Sequence, residues 1–296
     1  MWIITGASGL LGRQILESVL RRVPAEQVAV SVRDVEKARD LAVRGVRVRG
    51  ADYADRASLQ HAFEGATQVV LVSSNGRAIG VDPLAHHRNA IDAAKASGAR
   101  RILYTSHMAA SSTSAFSPMH DHAATEAMLA QSGLAWTALR NGFYANSLLA
   151  MAAGGLARGV LTFPQDGKVS WTAHRDLADA TAAILADEGR FDGPTPPLTA
   201  ARALDLEDLA ALAAELLGRP VTREVESDEE LRERLTGQGI PPARIAIMLG
   251  LFAASRRGEF ASSDSTLERL IGRSSTSLRT LMSESLAAFS AADTGG

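Results

Sequence analysis

The first residues with the types and spacing to do chemistry are Thr5-Gly6-Ala-Ser8-Gly9-Leu-Leu-Gly12. Glycines at 6, 9 and 12, after a short apolar run and at the opening of a helical pattern, suit a dinucleotide-binding turn. Gly6 permits the tight bend, Gly9 lets the backbone approach a pyrophosphate, and Gly12 lets the helix pack closely on the sheet. The phosphates would meet the helix N-terminus, where free N–H groups and the dipole favour anions. Arg33 closes the second apolar run. An NAD site wants a carboxylate there for the ribose diol, whereas an arginine suits a 2′-phosphate. Asp34 is either a ribose carboxylate or a cap for the following helix; the cap is the favoured reading, and Arg33, with Lys37 one turn on, then points to NADP(H). Asp52 follows the third run and is placed to reach the adenine edge, while Asp55 reads as an N-cap.

Other chemistries are excluded or disfavoured by composition. The chain has no cysteine, which removes disulfides, thiolate metal sites and thiol nucleophiles. The formal net charge of −2 provides no field toward nucleic acid or an anionic membrane. No apolar run reaches the ~20 residues of a membrane span, and the basic and apolar stretches of a signal peptide are missing. The expectation is a cytoplasmic protein with neither membrane nor nucleic-acid partner.

The elements that must position these residues alternate in kind. Apolar runs near 2–5, 27–32, 46–50, 68–73, 101–105 and 135–139 read as strands. Helical patterns fall near 10–22, 34–44, 56–63, 84–97 and 119–132. That alternation implies βαβ units and an α/β fold, a Rossmann-type doubly wound parallel sheet. Residues 1–140 form the expected NADP(H)-binding domain, and 141–296 a mixed region that completes the sheet and builds a mainly helical substrate lobe. Within it, helices are expected near 144–157 and 174–188. Asp205 caps another over 206–217, and Ser227 with Glu230 boxes one over 228–236. A further helix opens at Ile240-Pro-Pro and runs to about 254. It is apolar on most faces, hence buried or lining an apolar pocket. The final residues, Asp293-Thr-Gly-Gly296, read as frayed.

Six motifs occur in order: the glycine loop at 5–12, Val32-Arg-Asp34, Ala51-Asp-Tyr53, His87-Arg-Asn89, Tyr104-Thr-Ser106 and Leu139-Arg-Asn-Gly-Phe-Tyr144. A tail, Asp264 to Leu278, follows. Together they resemble the NmrA-like atypical short-chain dehydrogenases, most closely the quinone oxidoreductase type 2 and triphenylmethane reductase group. The resemblance implies cofactor contacts from Gly6, Ser8, Gly9, Leu10, Leu11 and Arg33. It places Ser73 and Ser74 beside the ribose. Thr105, Ser106, Asn141, Gly142 and Tyr144 would approach the nicotinamide, and Arg175 would reach cofactor or substrate.

The wider superfamily protonates a carbonyl oxygen with a tyrosine followed four residues later by a lysine. Here the tyrosines are 53, 104 and 144, followed at that spacing by Ala57, Met108 and Leu148. The departure disfavours carbonyl chemistry and suits a quinone or conjugated dye, whose reduced anion is delocalised. His122 remains a candidate proton donor. Glu126 at i+4 would orient and charge the ring, or the two would form an ordinary surface pair. His120, Asp121 and His122 are not expected to hold a metal, and His86-His87 read as helix residues. Phe143 and Tyr144 are candidates to stack on a flat substrate under the 243–254 helix, with a core role for Phe143 as the alternative. The expected activity is NADPH-dependent reduction of quinones or flat conjugated aromatics, including polycyclic polyketide quinones whose hydroquinones react with oxygen. The rival reading is a non-catalytic NADP(H)-binding redox sensor of NmrA type.

Overall fold

The computed structural model describes residues 1–74 and 76–293. Six strands, β1 (Trp2–Thr5), β2 (Val28–Val32), β3 (Arg47–Gly50), β4 (Gln68–Leu71), β5 (Arg101–His107) and β6 (Ala135–Asn141), lie parallel in one sheet, mostly buried except for the solvated edge strand β3. After them in the chain come β7 (Phe143–Tyr144), β8 (Val160–Pro164), β9 (Trp171–Thr172), β10 (Gly193–Pro194) and β11 (Thr222–Glu226). The large sheet has seven strands in the order β10-β6-β5-β4-β1-β2-β3. The order of strand addition reverses between β1 and β4, so a crevice opens beyond their C-terminal ends, where doubly wound sheets bind ligands.

Helices cover both faces. The early ones are α1 (Leu10–Leu20), α2 (Arg39–Val43), α3 (Arg56–Ala62), α4 (Pro83–Ala96) and α5 (Pro118–Gln131). Later come α6 (Ala145–Arg158), α7 (His174–Ala186), α8 (Leu206–Leu217), α9 (Asp228–Gly237), α10 (Pro242–Arg256), α11 (Thr266–Ile271) and α12 (Leu278–Asp293). Ile15, Leu16 and Val19 of α1 pack with Leu177 and Leu185 of α7 on one face. Leu59 of α3, Ile91 of α4 and Leu129 of α5 cover the other. A third core, with Phe163, Leu209, Leu231, Ile245 and Phe252, fills the C-terminal lobe. None of the helices among the described residues is long and apolar enough to cross a membrane.

Local signals set most boundaries. Asp55 accepts the Ala57 and Ser58 N–H groups at the head of α3, and Asp205 and Ser227 complete capping boxes on α8 and α9. Asp34 accepts the Glu36 N–H at 3.1 Å, in keeping with a cap. The helix expected over 34–44 divides instead into a 3₁₀ turn at Glu36–Ala38 and the short α2. Ala38 leaves helical geometry there at φ −120°. Five strands were not anticipated. β11 pairs with β8 in parallel, yet Thr-Arg-Glu-Val-Glu is mostly solvated and lacks an apolar alternation. β10 is a two-residue edge strand at a Gly-Pro pair, a position that tolerates proline. Residues 294–296, read as part of a frayed end, lie outside the described residues.

Candidate active site

The turn after β1 is shaped as an anion cradle. Gly6 adopts φ +63°, a left-handed conformation natural only to glycine. A Cβ on Gly12 would stand 2.3 Å from the Gly6 carbonyl oxygen, so α1 can approach the turn only with glycine at this position. No side chain caps α1 and no acid sits in its first turn. Its opening N–H groups, which a helix cannot satisfy internally, are left for a ligand.

A cavity of about 350 Å³ lies over this turn. Of the residues expected at the cofactor, Gly6, Ser8, Gly9, Leu10, Leu11, Arg33, Asp52, Ser73 and Ser74 all line it. Arg33 is exposed there, and among the described residues no carboxylate pairs with it. Lys37 is held 3.5 Å from Asp34. Asp52 faces the cavity while one of its oxygens accepts the Ala54 N–H at 2.8 Å.

Several residues that shape this cleft were named from sequence without a role in the site. Tyr53 donates from its hydroxyl to Thr5 Oγ1 at 2.6 Å or to the Val72 carbonyl at 2.7 Å, tying the ends of β1, β3 and β4 together. His87 is buried, and its Nε2 accepts the Ser74 N–H at 2.9 Å while Nδ1 meets Thr125 Oγ1 at 2.8 Å. Burial holds its pKa down to about 3, so it stays neutral and can accept. His86 lines the cavity with Nδ1 2.8 Å from Ser74 Oγ. Adjacency in sequence hides how differently two neighbouring helix histidines are used.

Further along the sheet edge, Thr105, Ser106 and Asn141 are buried at the ends of β5 and β6, outside the lining of that cavity. Thr105 Oγ1 accepts the Ser73 N–H at 2.8 Å and so fixes the turn after β4. Asn141 is fully buried and neither of its side-chain amide atoms has a partner among the described residues. An orphaned carboxamide in this position is costly unless something completes it. Gly142 is required by packing, since a Cβ would stand 2.3 Å from Thr172 Oγ1. The Tyr144 ring lies 4.4 Å from that of His174, and burial pushes its hydroxyl pKa up.

The His122–Glu126 relation is overturned in both forms considered. Glu126 is buried, accepting Ser106 Oγ at 2.6 Å and the Arg140 guanidinium at 2.7 and 3.2 Å. His122 Nδ1 bonds instead to the Tyr104 hydroxyl at 2.9 Å. Burial lowers the His122 pKa to about 4, outweighing the opposing pull of Asp121, so the ring is neutral at physiological pH. The neighbours do not converge on a metal: Asp121 pairs with Arg77 at 2.5 Å and His120 Nε2 meets the Ser114 carbonyl at 2.9 Å. Arg175 is not brought to the cleft either. Its guanidinium is engaged by Glu284 at 3.0 Å and by Thr276 at 3.1 Å, which anchors the C-terminal segment to α7.

Phe143 belongs to an aromatic cluster, with ring centroids 5.2 Å from Trp171 and Phe260 and 5.6 Å from Phe116. It keeps a partly exposed edge, so packing and a substrate contact are compatible. His107, missed from sequence, stands beside it at 5.3 Å with its Nε2 buried and unpartnered among the described residues. α10 reaches this cluster through Gly250, where a Cβ would stand 2.7 Å from the Ala115 carbonyl oxygen.

A parallel sheet with an open helix N-terminus over a glycine turn, and an arginine at the end of β2, defines a dinucleotide-binding protein of the Rossmann type. Residues 6–188 match the NAD(P)H-binding family, and the chain belongs to that NmrA-like family. It is 36% identical to quinone oxidoreductase 2 of Escherichia coli over 279 residues, covering 94% of this chain and 96% of that one. The solved structure of that enzyme in complex with NADPH superposes with a TM-score of 0.89, covering 98% and 99% of the two chains. Triphenylmethane reductase from Citrobacter sp., solved with NADP(H), has a TM-score of 0.85 at 30% identity, covering 95% of this chain and 98% of that one. An NAD(P)H azoreductase of Xenophilus azovorans is 26% identical over 294 residues, 99% of this chain and all of that one. The protein is accordingly an NAD(P)H-dependent oxidoreductase.

Proposed function

We propose that the protein reduces quinones and related flat conjugated molecules at the expense of NADPH, by direct hydride transfer without flavin or metal. The observation that carries this reading is the missing acid: His122 is neutral and tied to Tyr104, and no tyrosine–lysine pair exists to replace it. The open α1 terminus and the unpaired Arg33 fit the pyrophosphate and 2′-phosphate of the dinucleotide, and the orphaned Asn141 amide fits its carboxamide end. When bound, the dihydronicotinamide supplies two electrons and a proton as hydride. With one further proton from solvent, a quinone becomes a hydroquinone.

The residues around that transfer hold and shield. The Tyr104 hydroxyl lies 2.9 Å from His122 Nδ1; in the tautomer we propose, the hydroxyl donates and the ring proton sits on Nε2. A neutral imidazole N–H there stabilises a delocalised oxyanion without having to protonate it. Phe143, in its cluster with Phe116, Trp171 and Phe260, offers aromatic edges to a planar ring. Polycyclic aromatic quinones, including those of polyketide origin, are the finer substrate class we infer, and their hydroquinones would pass electrons on to oxygen.

Anaerobic NADPH oxidation against benzo-, naphtho- and anthraquinones tests the reading, with NADH alongside. Arg33→Ala should raise the KM for NADPH by about tenfold or more, the worth of a charge-assisted phosphate contact, and leave NADH unchanged. Tight NADPH binding without turnover on any acceptor would instead favour the redox-sensor reading. An equal loss with both cofactors would remove the phosphate role of Arg33.

A further inference from the structure

We propose that the C-terminal lobe carries a second small-molecule site, built for an amphipathic anion with an apolar body and a carboxylate or sulfonate head that meets Arg158. A cavity of about 530 Å³ lies between α6, β8, α9 and α10, and it shares no lining residue with the dinucleotide cleft. Its apolar wall is Met151, Phe163, Leu231, Leu235 and Met248. Such a volume and lining, with a few polar groups, is usual for ligand sites, and methionines let the wall adapt to its occupant.

The charge at the cavity is a single unbalanced cation. Glu226 is taken by Arg234, whose Nε and Nη2 reach its two oxygens at 3.1 and 2.5 Å, so that pair is neutral overall. Arg158 is exposed at the cavity, with no hydrogen-bond or ion-pair partner among the described residues. An anionic head is the group that would complete it.

Gly154 supplies an independent observation. It lies inside α6 with an ordinary helical backbone, where glycine weakens a helix relative to alanine. Its neighbour Gly155 has a packing reason, because a Cβ would stand 2.7 Å from the Val160 carbonyl oxygen and 2.8 Å from Leu161. A Cβ on Gly154 would meet only the flexible tip of Arg158, at 3.3 Å. Packing therefore does not demand glycine at 154. A methyl group there needs only a small shift of the Arg158 tip, whereas a longer side chain would narrow the cavity and displace Arg158.

The test is calorimetric titration of 2-naphthoate into the full-length protein saturated with NADP⁺, so that the dinucleotide cleft is filled. Saturable 1:1 binding is expected, weakened about tenfold by Arg158→Met, which keeps an unbranched apolar stem and removes the charge. Gly154→Leu should abolish it. Gly154→Ala should fold at least as well as the parent and retain binding, which separates occlusion from unfolding. Quinone-dependent turnover should be unchanged in all three variants. No saturable heat, binding indifferent to both Arg158→Met and Gly154→Leu, or displacement of the naphthoate by a quinone would each overturn the proposal.

Discussion

A carboxylate four residues from a histidine on a helix has the reach to charge its ring, yet Glu126 turns to the sheet. Its partners, Ser106 and Arg140, come from β5 and β6, neighbouring strands whose register places those two residues side by side. The ion pair is largely buried, so removing one member leaves a charge without compensation. Arg140→Met should therefore destabilise the protein by roughly 3 kcal/mol. Adding Glu126→Gln should recover part of that loss, because the remaining group is then neutral. Chemical denaturation of the two variants measures this; equal stability of single and double variants would show that the pair is solvated. At the same scale, releasing His122 with Tyr104→Phe should lower quinone turnover with little effect on NADPH affinity, read as a fall in kcat at constant cofactor KM.

Among the elements, α1 matters most to the cofactor, since its N-terminus and the turn before it form one surface. Gly12→Ala places a methyl group 2.3 Å from the Gly6 carbonyl oxygen, within backbone rather than against a flexible side chain. The helix must then lift from the turn, and the N–H groups that face the phosphates move with it. A loss of NADPH affinity of at least about tenfold is expected, with melting lowered by a smaller margin. Fluorescence titration reads the affinity. Unchanged binding would mean that the turn, and not the helix, holds the anion. α7 and α11 show the reverse relation, in which late segments support an early element. α7 packs on α1, and Asp176 at its head binds Thr276 and Arg273 of the C-terminal segment.

Across the whole molecule, burial of neutral histidines couples folding to pH. Burial holds His87 to about 3, and His122 and His174 to about 4. Each takes up its proton near 6.5 when unfolded, so the unfolded chain binds more protons between about pH 6.5 and pH 4. Stability is complete above that window, falls as pH drops through it, and levels off for these groups below the folded values. The thermal midpoint, followed by circular dichroism, should decline from about pH 7 to pH 5, before most carboxylates titrate. A flat profile would show that these rings are wet.

What the sequence by itself determined is what neighbouring residues decide. Gly6 and Gly12 shape the turn because only glycine allows the left-handed backbone at one and the close contact at the other, and Asp55, Asp205 and Ser227 cap the helices that follow them. Runs such as Val69-Val-Leu71 are apolar throughout because both faces of a parallel strand are covered. Only the tertiary structure decided who meets whom at the reacting end. Glu126 chooses Arg140 over His122, Arg175 leaves the cleft for Glu284, and the two halves of the His86-His87 pair take separate tasks. Those choices are hydrogen bonds between residues 12 to more than 100 positions apart, set by strand register and helix docking, and local pattern carries no record of either. The strands β7, β9 and β10 escaped for a related reason: two residues are too few to show a period, and pairing alone makes them strands.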